Sequence, residues 1–326
     1  YCHRKLFDKR PKKVNGINLV YTPSVHSKVF SQLYNSFFSF IHVCFSKIDI
    51  VLVVNSANGP YGILTKLFGK KTCINIDGLE WLRPKWKGIG SIYFKFSSKL
   101  ATLFYDQIIS DSENMSMIYE KMFNKKSKTI AYGSTMIKTD SNEFLYKLNL
   151  KPNDFYLIIG RLIPDNNAKL LIEGYLKSGS KKKLVIVGDV PYKDKYSEEI
   201  KNLQSSKIIT TGYIKSQSNL SELYKNCFGY MHGHEYGGTN PTMINALDLN
   251  CEILALRTKF NIEMLRNKKA VYFRKNSTSI KNAINIFEEE FKHLKKQNIN
   301  YLMSEKYQWN NIVNDYINIF KKLMNV

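Results

Sequence analysis

Three stretches of this chain hold residues whose types and spacing suit chemistry. In Ile159-Gly160-Arg161-Leu162-Ile163-Pro164-Asp165-Asn166-Asn167 a glycine and an arginine follow an apolar run and precede a helical pattern. Glycine there admits a ligand close to the backbone, and a guanidinium beside it can grip a diphosphate with two parallel hydrogen bonds. The N-terminus of the following helix adds partial positive charge at the same place. The competing reading is an arginine that caps a loop or pairs with a carboxylate. In the second stretch, Met231-His232-Gly233-His234-Glu235-Tyr236-Gly237-Gly238-Thr239-Asn240-Pro241-Thr242, an apolar run enters a Gly-Gly turn. A helix then starts, with Pro241 in its first turn and Asn240 or Thr239 as cap. Free N–H groups at such an end suit a phosphate or hydroxyls. The third, Asn75-Ile76-Asp77-Gly78-Leu79-Glu80-Trp81-Leu82-Arg83-Pro84-Lys85-Trp86, leaves a strand with carboxylates, indoles and bases close together. Indole faces pack on sugar rings and carboxylates hold hydroxyls. The same loop also reads as an interfacial aromatic turn with solvated charges.

These stretches need a scaffold, and the rest of the chain supplies one. Short β-branched runs at 17–21, 50–54, 72–76, 107–109, 155–159, 183–187, 208–210, 229–232, 252–255 and 271–273 alternate with helical patterns. That is the signature of an α/β protein with parallel sheets wrapped by helices. A polar break at 142–153, with Pro152, separates two such series. It predicts an N-terminal Rossmann-like domain over 1–148 and a second over 149–305. Two domains of this kind are expected to face one another across a cleft at the carboxyl ends of their strands. From 306 to 326 the periodicity predicts one amphipathic helix with Trp309, Ile312, Val313, Tyr316, Ile319 and Phe320 on one face.

Composition narrows the function. Lys and Arg number 49 against 27 Asp and Glu, a net charge of +22. Such an excess favours an anionic partner: nucleic acid, anionic lipid or a phosphorylated substrate. A nucleic-acid-binding role is disfavoured, because the bases are scattered and no recognition motif is present. Five cysteines lie far apart without a CxxC pair, which suggests neither zinc ligation nor a disulfide framework. Cys73, Cys227 and Cys251 sit in apolar runs and read as small core residues of a cytoplasmic protein. No apolar run reaches membrane-spanning length. Residues 81–105 mix aromatic and basic side chains, which suits either a core-facing helix with a wet lysine side or one lying on an anionic membrane surface.

Together, these segments resemble glycosyltransferase family 4, with the GT-B fold. The likeness is to the subgroup containing β-1,4-rhamnosyltransferases of capsule and rhamnan synthesis. It rests on Asp77-Gly78-Leu79-Glu80-Trp81 with Trp86, Asp111-Ser112, Tyr132-Gly133, Gly160-Arg161-Leu162 with Pro164 and Asn166-Asn167, and His232-Gly233-His234 followed by Gly237-Gly238-Thr239-Asn240-Pro241. The Trp309 segment resembles the family's C-terminal crossover helix, which packs back on the N-terminal domain. The resemblance implies a retaining transfer from a nucleotide diphosphate sugar, dTDP-L-rhamnose foremost, to a saccharide or lipid-linked acceptor of bacterial surface-polysaccharide synthesis. In that reading Asp77, Glu80 and Arg161 are catalytic. Arg161 neutralises the leaving diphosphate, while Asp77 and Glu80 hold the acceptor or help deprotonate it. Substrate contacts are implied for Trp81, Arg83, Trp86, Asp111, Ser112, Gly160, Asn166, Glu173, His232, His234, Gly237, Gly238, Thr239, Asn240 and Asn245. No cofactor and no metal are expected, since the chain has no Asp-x-Asp. The place of work is expected to be the cytoplasm, at the inner face of the plasma membrane.

Three departures qualify the resemblance. Relatives carry a glutamate four residues after the proline of the Gly-Gly-Thr-Asn-Pro string, where this chain has Asn245, and Asn166 stands where many carry lysine. Relatives also begin with a strand and Gly-rich loop that have no counterpart here, roughly fifty residues in a usual domain of this type. If the chain is the whole polypeptide, weak or absent transfer is expected. A catalytically impaired nucleotide-sugar-binding relative is therefore the alternative.

Overall fold

A computed structural model describes residues 1–25, 27, 30–76, 78–84, 86–191, 194–266, 270–291 and 305–325. The β-branched runs become two parallel sheets, one in each of two units. The first unit comprises Tyr1–Ile130 with Asp315–Val326, the second Ala131–Asn314. The division thus falls 18 residues before the boundary expected after residue 148. Residues 131–150 side with the second unit for a physical reason: Leu145 and Leu150 are buried with Phe155 and Leu157 in its core. Glu222 Oε2 also accepts the Phe144 and Leu145 N–H groups at 2.8 and 3.3 Å, satisfying the free donors of the short helix Glu143–Lys147.

In the second unit six strands run parallel in the order Ile208–Gly212, Lys183–Val187, Phe155–Ile159, Gly229–His232, Ile253–Leu256, Ala270–Phe273. Both faces are covered, as the continuous apolar runs require. Alternation along each strand divides the core. Phe155, Leu157, Val185, Val187, Tyr230, Ile253 and Ala255 pack under the helix Pro241–Asp248 through Met243, Ile244 and Leu247. Tyr156, Ile158, Leu184, Ile186, Met231 and Leu254 pack against Ala168–Ser178 and Ser277–Phe291 on the other face. Those two helices approach closely at Gly174, where a Cβ would lie 2.3 Å from Ile280 Cγ2.

In the first unit four parallel strands run in the order Ile50–Val54, Lys71–Ile76, Gln107–Ser110, Lys128–Thr129. The run at 17–21 is not one strand. Ile17–Asn18 closes a hairpin with Lys13–Val14 across Asn15 and Gly16, both at positive φ, and Tyr21–Thr22 pairs in parallel with Cys2–His3. From Asp315 onward the final helix, Trp309–Met324, belongs to this unit: Tyr316 accepts from Asn75 Nδ2 at 2.8 Å, and Ile319 is buried. Val313 and Trp309, expected on the buried stripe, are about half exposed. Cys73, Cys227 and Cys251 are fully buried thiols, and burial raises the Cys73 pKa to about 12. None of the described helices is long and apolar enough to cross a membrane.

Candidate functional site

In the second unit the strand order reverses between Phe155–Ile159 and Gly229–His232. In open parallel sheets ligands bind outside the carboxyl ends of the strands at such a switch point. Gly160 and Arg161 leave one of these two strands, and Gly233 and His234 the other. The loops are tied together by amides. Asn166 Nδ2 donates to the Arg161 carbonyl at 2.8 Å, so its Oδ1 accepts from His234 Nδ1 at 2.6 Å. Asn167 Nδ2 donates to the Gly233 carbonyl at 2.8 Å, and the Glu235 N–H to the Asp165 carbonyl at 3.2 Å. Gly233 has to be glycine, because a Cβ there would sit 2.5 Å from the Asn166 carbonyl oxygen. Asn166 is therefore a strut between the two loops.

Arg161 is exposed, and its guanidinium has no ion pair or hydrogen bond among the described residues. Further along the second loop, Gly237 (φ +124°), Gly238 and Thr239 lead into Pro241–Asp248. Asn240 caps that helix, its Oδ1 accepting from Thr242 N at 2.9 Å. A free guanidinium beside a capped helix N-terminus can hold a doubly charged diphosphate. Gly160, Arg161, Asn166, His232, His234, Gly237, Gly238, Thr239 and Asn240 all lie on these two tied loops and their flanks. Glu173 does not; it is exposed, one turn beyond Lys169 on Ala168–Ser178. Asn245 faces elsewhere in the same unit, its Oδ1 accepting from Thr135 N at 3.4 Å and from the Ser134 hydroxyl at 3.3 Å.

The first unit holds the other candidates. Asp77 lies outside the described residues. Glu80 is buried with its carboxylate engaged: Oε1 is 3.0 Å from Arg83 Nε and Oε2 accepts from the Trp86 indole at 2.8 Å. Trp81 is buried against Tyr119 and Phe123 at centroid distances of 6.1 and 6.3 Å, so it is a core residue and not an open platform for a sugar. Trp86 is half-buried on Phe94, 4.8 Å away. Ser112 caps the helix Glu113–Phe123 through Met115 N, and Asp111 beside it is fully buried.

Four further residues shape the site, two of them, Gly188 and Lys275, from outside the stretches that the sequence singles out. Gly188, at φ +144°, ends the neighbouring strand where a Cβ would meet the Gly160 carbonyl oxygen at 1.8 Å. Lys275 pairs with Glu235 at 2.5 Å from forty residues away, and Tyr230 and Thr242 form a relay under His232. Only the fold brings Gly188 and Lys275 to the site.

Comparison with known proteins agrees with this architecture. Residues 140–301 match the family described as glycosyl transferases group 1, and residues 46–135 match a domain of unknown function, DUF1972. No curated protein sequence matches the chain. Among solved structures, HepE from Anabaena in complex with UDP-glucose is similar over 95% of this chain and 87% of its own, with a TM-score of 0.73 at 14% identity. Sucrose-phosphate synthase from Thermosynechococcus elongatus is similar over 94% and 81%, with a TM-score of 0.75 at 14% identity. A glycosyltransferase from Rickettsia africae covers 94% and 84%, with a TM-score of 0.67 at 14% identity. The chain has the GT-B fold of these structures. The segment that matches glycosyl transferases group 1 lies within its second unit.

Proposed function

We propose that this protein binds a nucleotide diphosphate sugar in its second unit and transfers the glycosyl group, with retention and without metal, to a saccharide acceptor. The observation that carries the proposal is that Arg161 and the Asn240-capped helix N-terminus follow the two adjacent strands of the switch point, on loops tied to one another. Two positive groups on one side of a site stabilise the charge that develops on a departing diphosphate, the task a metal performs elsewhere. The UDP-glucose complex of HepE supports a nucleotide sugar as ligand. The rhamnose donor, dTDP-L-rhamnose, and a lipid-linked acceptor of surface-polysaccharide synthesis rest on the motif resemblance. A cytoplasmic site of action at the inner leaflet follows from that acceptor.

The test is calorimetric titration, without metal and with chelator, using dTDP-rhamnose, dTDP, UDP-glucose and UDP-N-acetylglucosamine. Selective binding of the thymidine ligands is expected, weakened about 10- to 100-fold in Arg161→Ala, the range of a charge-assisted contact. A preference for UDP-glucose would remove the rhamnose donor. No binding by any of the four would remove the donor site.

A second reading has its own support: Asn245 replaces the carboxylate of relatives and spends its oxygen on Ser134 and Thr135. A chain that binds the donor tightly yet releases no nucleotide in the presence of acceptor would be an impaired relative.

A further inference from the structure

His232 ends the strand Gly229–His232 at the switch point and is 3% exposed. Its protonation can be read from its neighbours, starting at a group that has no choice. The backbone N–H of Thr242 donates to Asn240 Oδ1 at 2.9 Å, which identifies that atom as the amide oxygen. An amide oxygen only accepts, so the Thr242 hydroxyl, 2.7 Å away, donates to it. With that hydrogen committed, Thr242 Oγ1 accepts from the Tyr230 hydroxyl at 2.9 Å. Tyr230 has then used its own hydrogen, so its oxygen accepts from His232 Nδ1 at 3.0 Å. His232 Nδ1 therefore carries a proton.

The other nitrogen decides what the ring is for. Nε2 is buried and has no hydrogen-bond partner among the described residues. Its surroundings disfavour a second proton: burial holds the His232 pKa well below its ordinary value, and His234, with ring centroids 6.0 Å apart, adds to the effect. Nε2 is then a bare lone pair. A lone pair repels phosphate oxygens, which offer only lone pairs themselves, and welcomes an O–H or N–H. A buried acceptor left unmet costs stability, which makes this atom a specificity element for any ligand group that can meet it.

We propose that His232 Nε2 accepts a hydrogen bond from a hydroxyl or ring N–H of the bound nucleotide sugar, and that Thr242 and Tyr230 act as positioning residues that set its tautomer. The proposal rests on the donor-binding reading above. It divides the labour at the site: Arg161 and the helix N-terminus meet the diphosphate, and His232 reads an uncharged donor group.

Two measurements test it on the full chain. The first is a two-bond ¹H–¹⁵N correlation of histidine-labelled protein, with the His232 signals assigned by their loss in His232→Asn. The Nδ1–H tautomer is expected in the wild type and in Thr242→Ser. In Thr242→Val the Tyr230 hydroxyl is released to donate to Nδ1, and the ring is expected to switch to Nε2–H. An Nε2–H ring in the wild type overturns the proposal.

The second measurement is titration of wild type, His232→Asn and His232→Gln with UDP, dTDP, UDP-glucose and dTDP-rhamnose. Asn keeps a partner for Tyr230 but cannot reach as Nε2 does, and is expected to weaken binding about ten-fold, the scale of one buried hydrogen bond. Gln carries an amide oxygen to about the reach of Nε2 and is expected to restore most of the loss. A loss confined to the nucleotide sugars assigns the contact to a sugar hydroxyl, whereas a loss shared by UDP and dTDP assigns it to the nucleoside. Wild-type binding that is unchanged in both variants overturns this proposal and leaves the donor site standing. A wild type that binds none of the four takes both down.

Discussion

Glu80, Arg83 and Trp86 illustrate how a chemically suggestive loop can be a structural one. A carboxylate just past a strand end and two residues from a glycine looks like a base or a hydroxyl clamp. Here its two oxygens are spent on a buried guanidinium and an indole, at 3.0 and 2.8 Å. Arg83 and Glu80 are both under a tenth exposed, so neither is solvated if the other is removed. Breaking such a pair leaves a buried charge and costs about 3–5 kcal/mol. Glu80→Ala is therefore expected to lower the urea midpoint sharply, and Glu80→Gln, which can still accept from the Trp86 indole, to lower it less. A variant with an unchanged midpoint and lost transfer would instead return Glu80 to the chemistry. Trp81 carries the same lesson. An indole after a strand reads equally as a sugar platform or as core, and only Tyr119 and Phe123, some forty residues on, decide for core.

Elements were more legible than side chains because their signals are local. The runs 155–159 and 183–187 are apolar and β-branched throughout, as strands buried on both faces must be, and they stand where expected. Two-residue strands such as Lys128–Thr129 and Cys2–His3 have no room for a period and left no trace in the sequence. The division between units was misplaced for a related reason: Pro152 punctuates locally, while Glu222 captures the preceding helix from far along the chain. The candidate site was half legible. Its loops follow strands with readable Gly, Arg and Asn-Pro signals, but what holds them at their spacing comes from other elements. Gly188 is the clearest case, because the end of its strand passes under Gly160 with no space for a side chain. Gly188→Ala would place a Cβ 1.8 Å from the Gly160 carbonyl oxygen, at a φ that alanine rarely adopts. The expected outcome is a shift of the Gly160–Arg161 loop, seen as weaker donor binding together with a lower thermal midpoint. Gly179→Ala, at positive φ but with open space around its Cβ, is the control that lowers the midpoint without touching donor binding.

At the scale of the whole molecule the charge of +22 exceeds what a donor site uses, which involves only a few of the 49 basic residues. The helix Ile89–Phe104 in the first unit offers one. Its buried side is small or aromatic: Phe94, Ser97, Ser98, Ala101 and Thr102. Its outer side leaves Ile89, Ile92, Phe96 and Leu103 more than half exposed, with Lys95 and Lys99 exposed among them. A helix with lysines on its wet side needs no apolar residues there, so the exposed Ile and Phe favour the membrane-surface reading of this segment over the core-facing one. Apolar side chains entering the headgroup boundary contribute through burial, and each nearby lysine adds about 1 kcal/mol on an anionic leaflet. Both contributions can be separated in one pelleting assay. Binding to vesicles containing phosphatidylglycerol is expected at low salt, falling as added salt screens the lysines, with little binding to phosphatidylcholine alone. Ile92→Ser with Phe96→Ser should lower binding at every salt concentration while the thermal midpoint stays put, because these side chains are already in water. Lys95→Gln with Lys99→Gln should lower it mainly at low salt. Equal pelleting with both lipids would remove the electrostatic part of the argument, and no pelleting with either would return the exposed face of this helix to a partner of another kind.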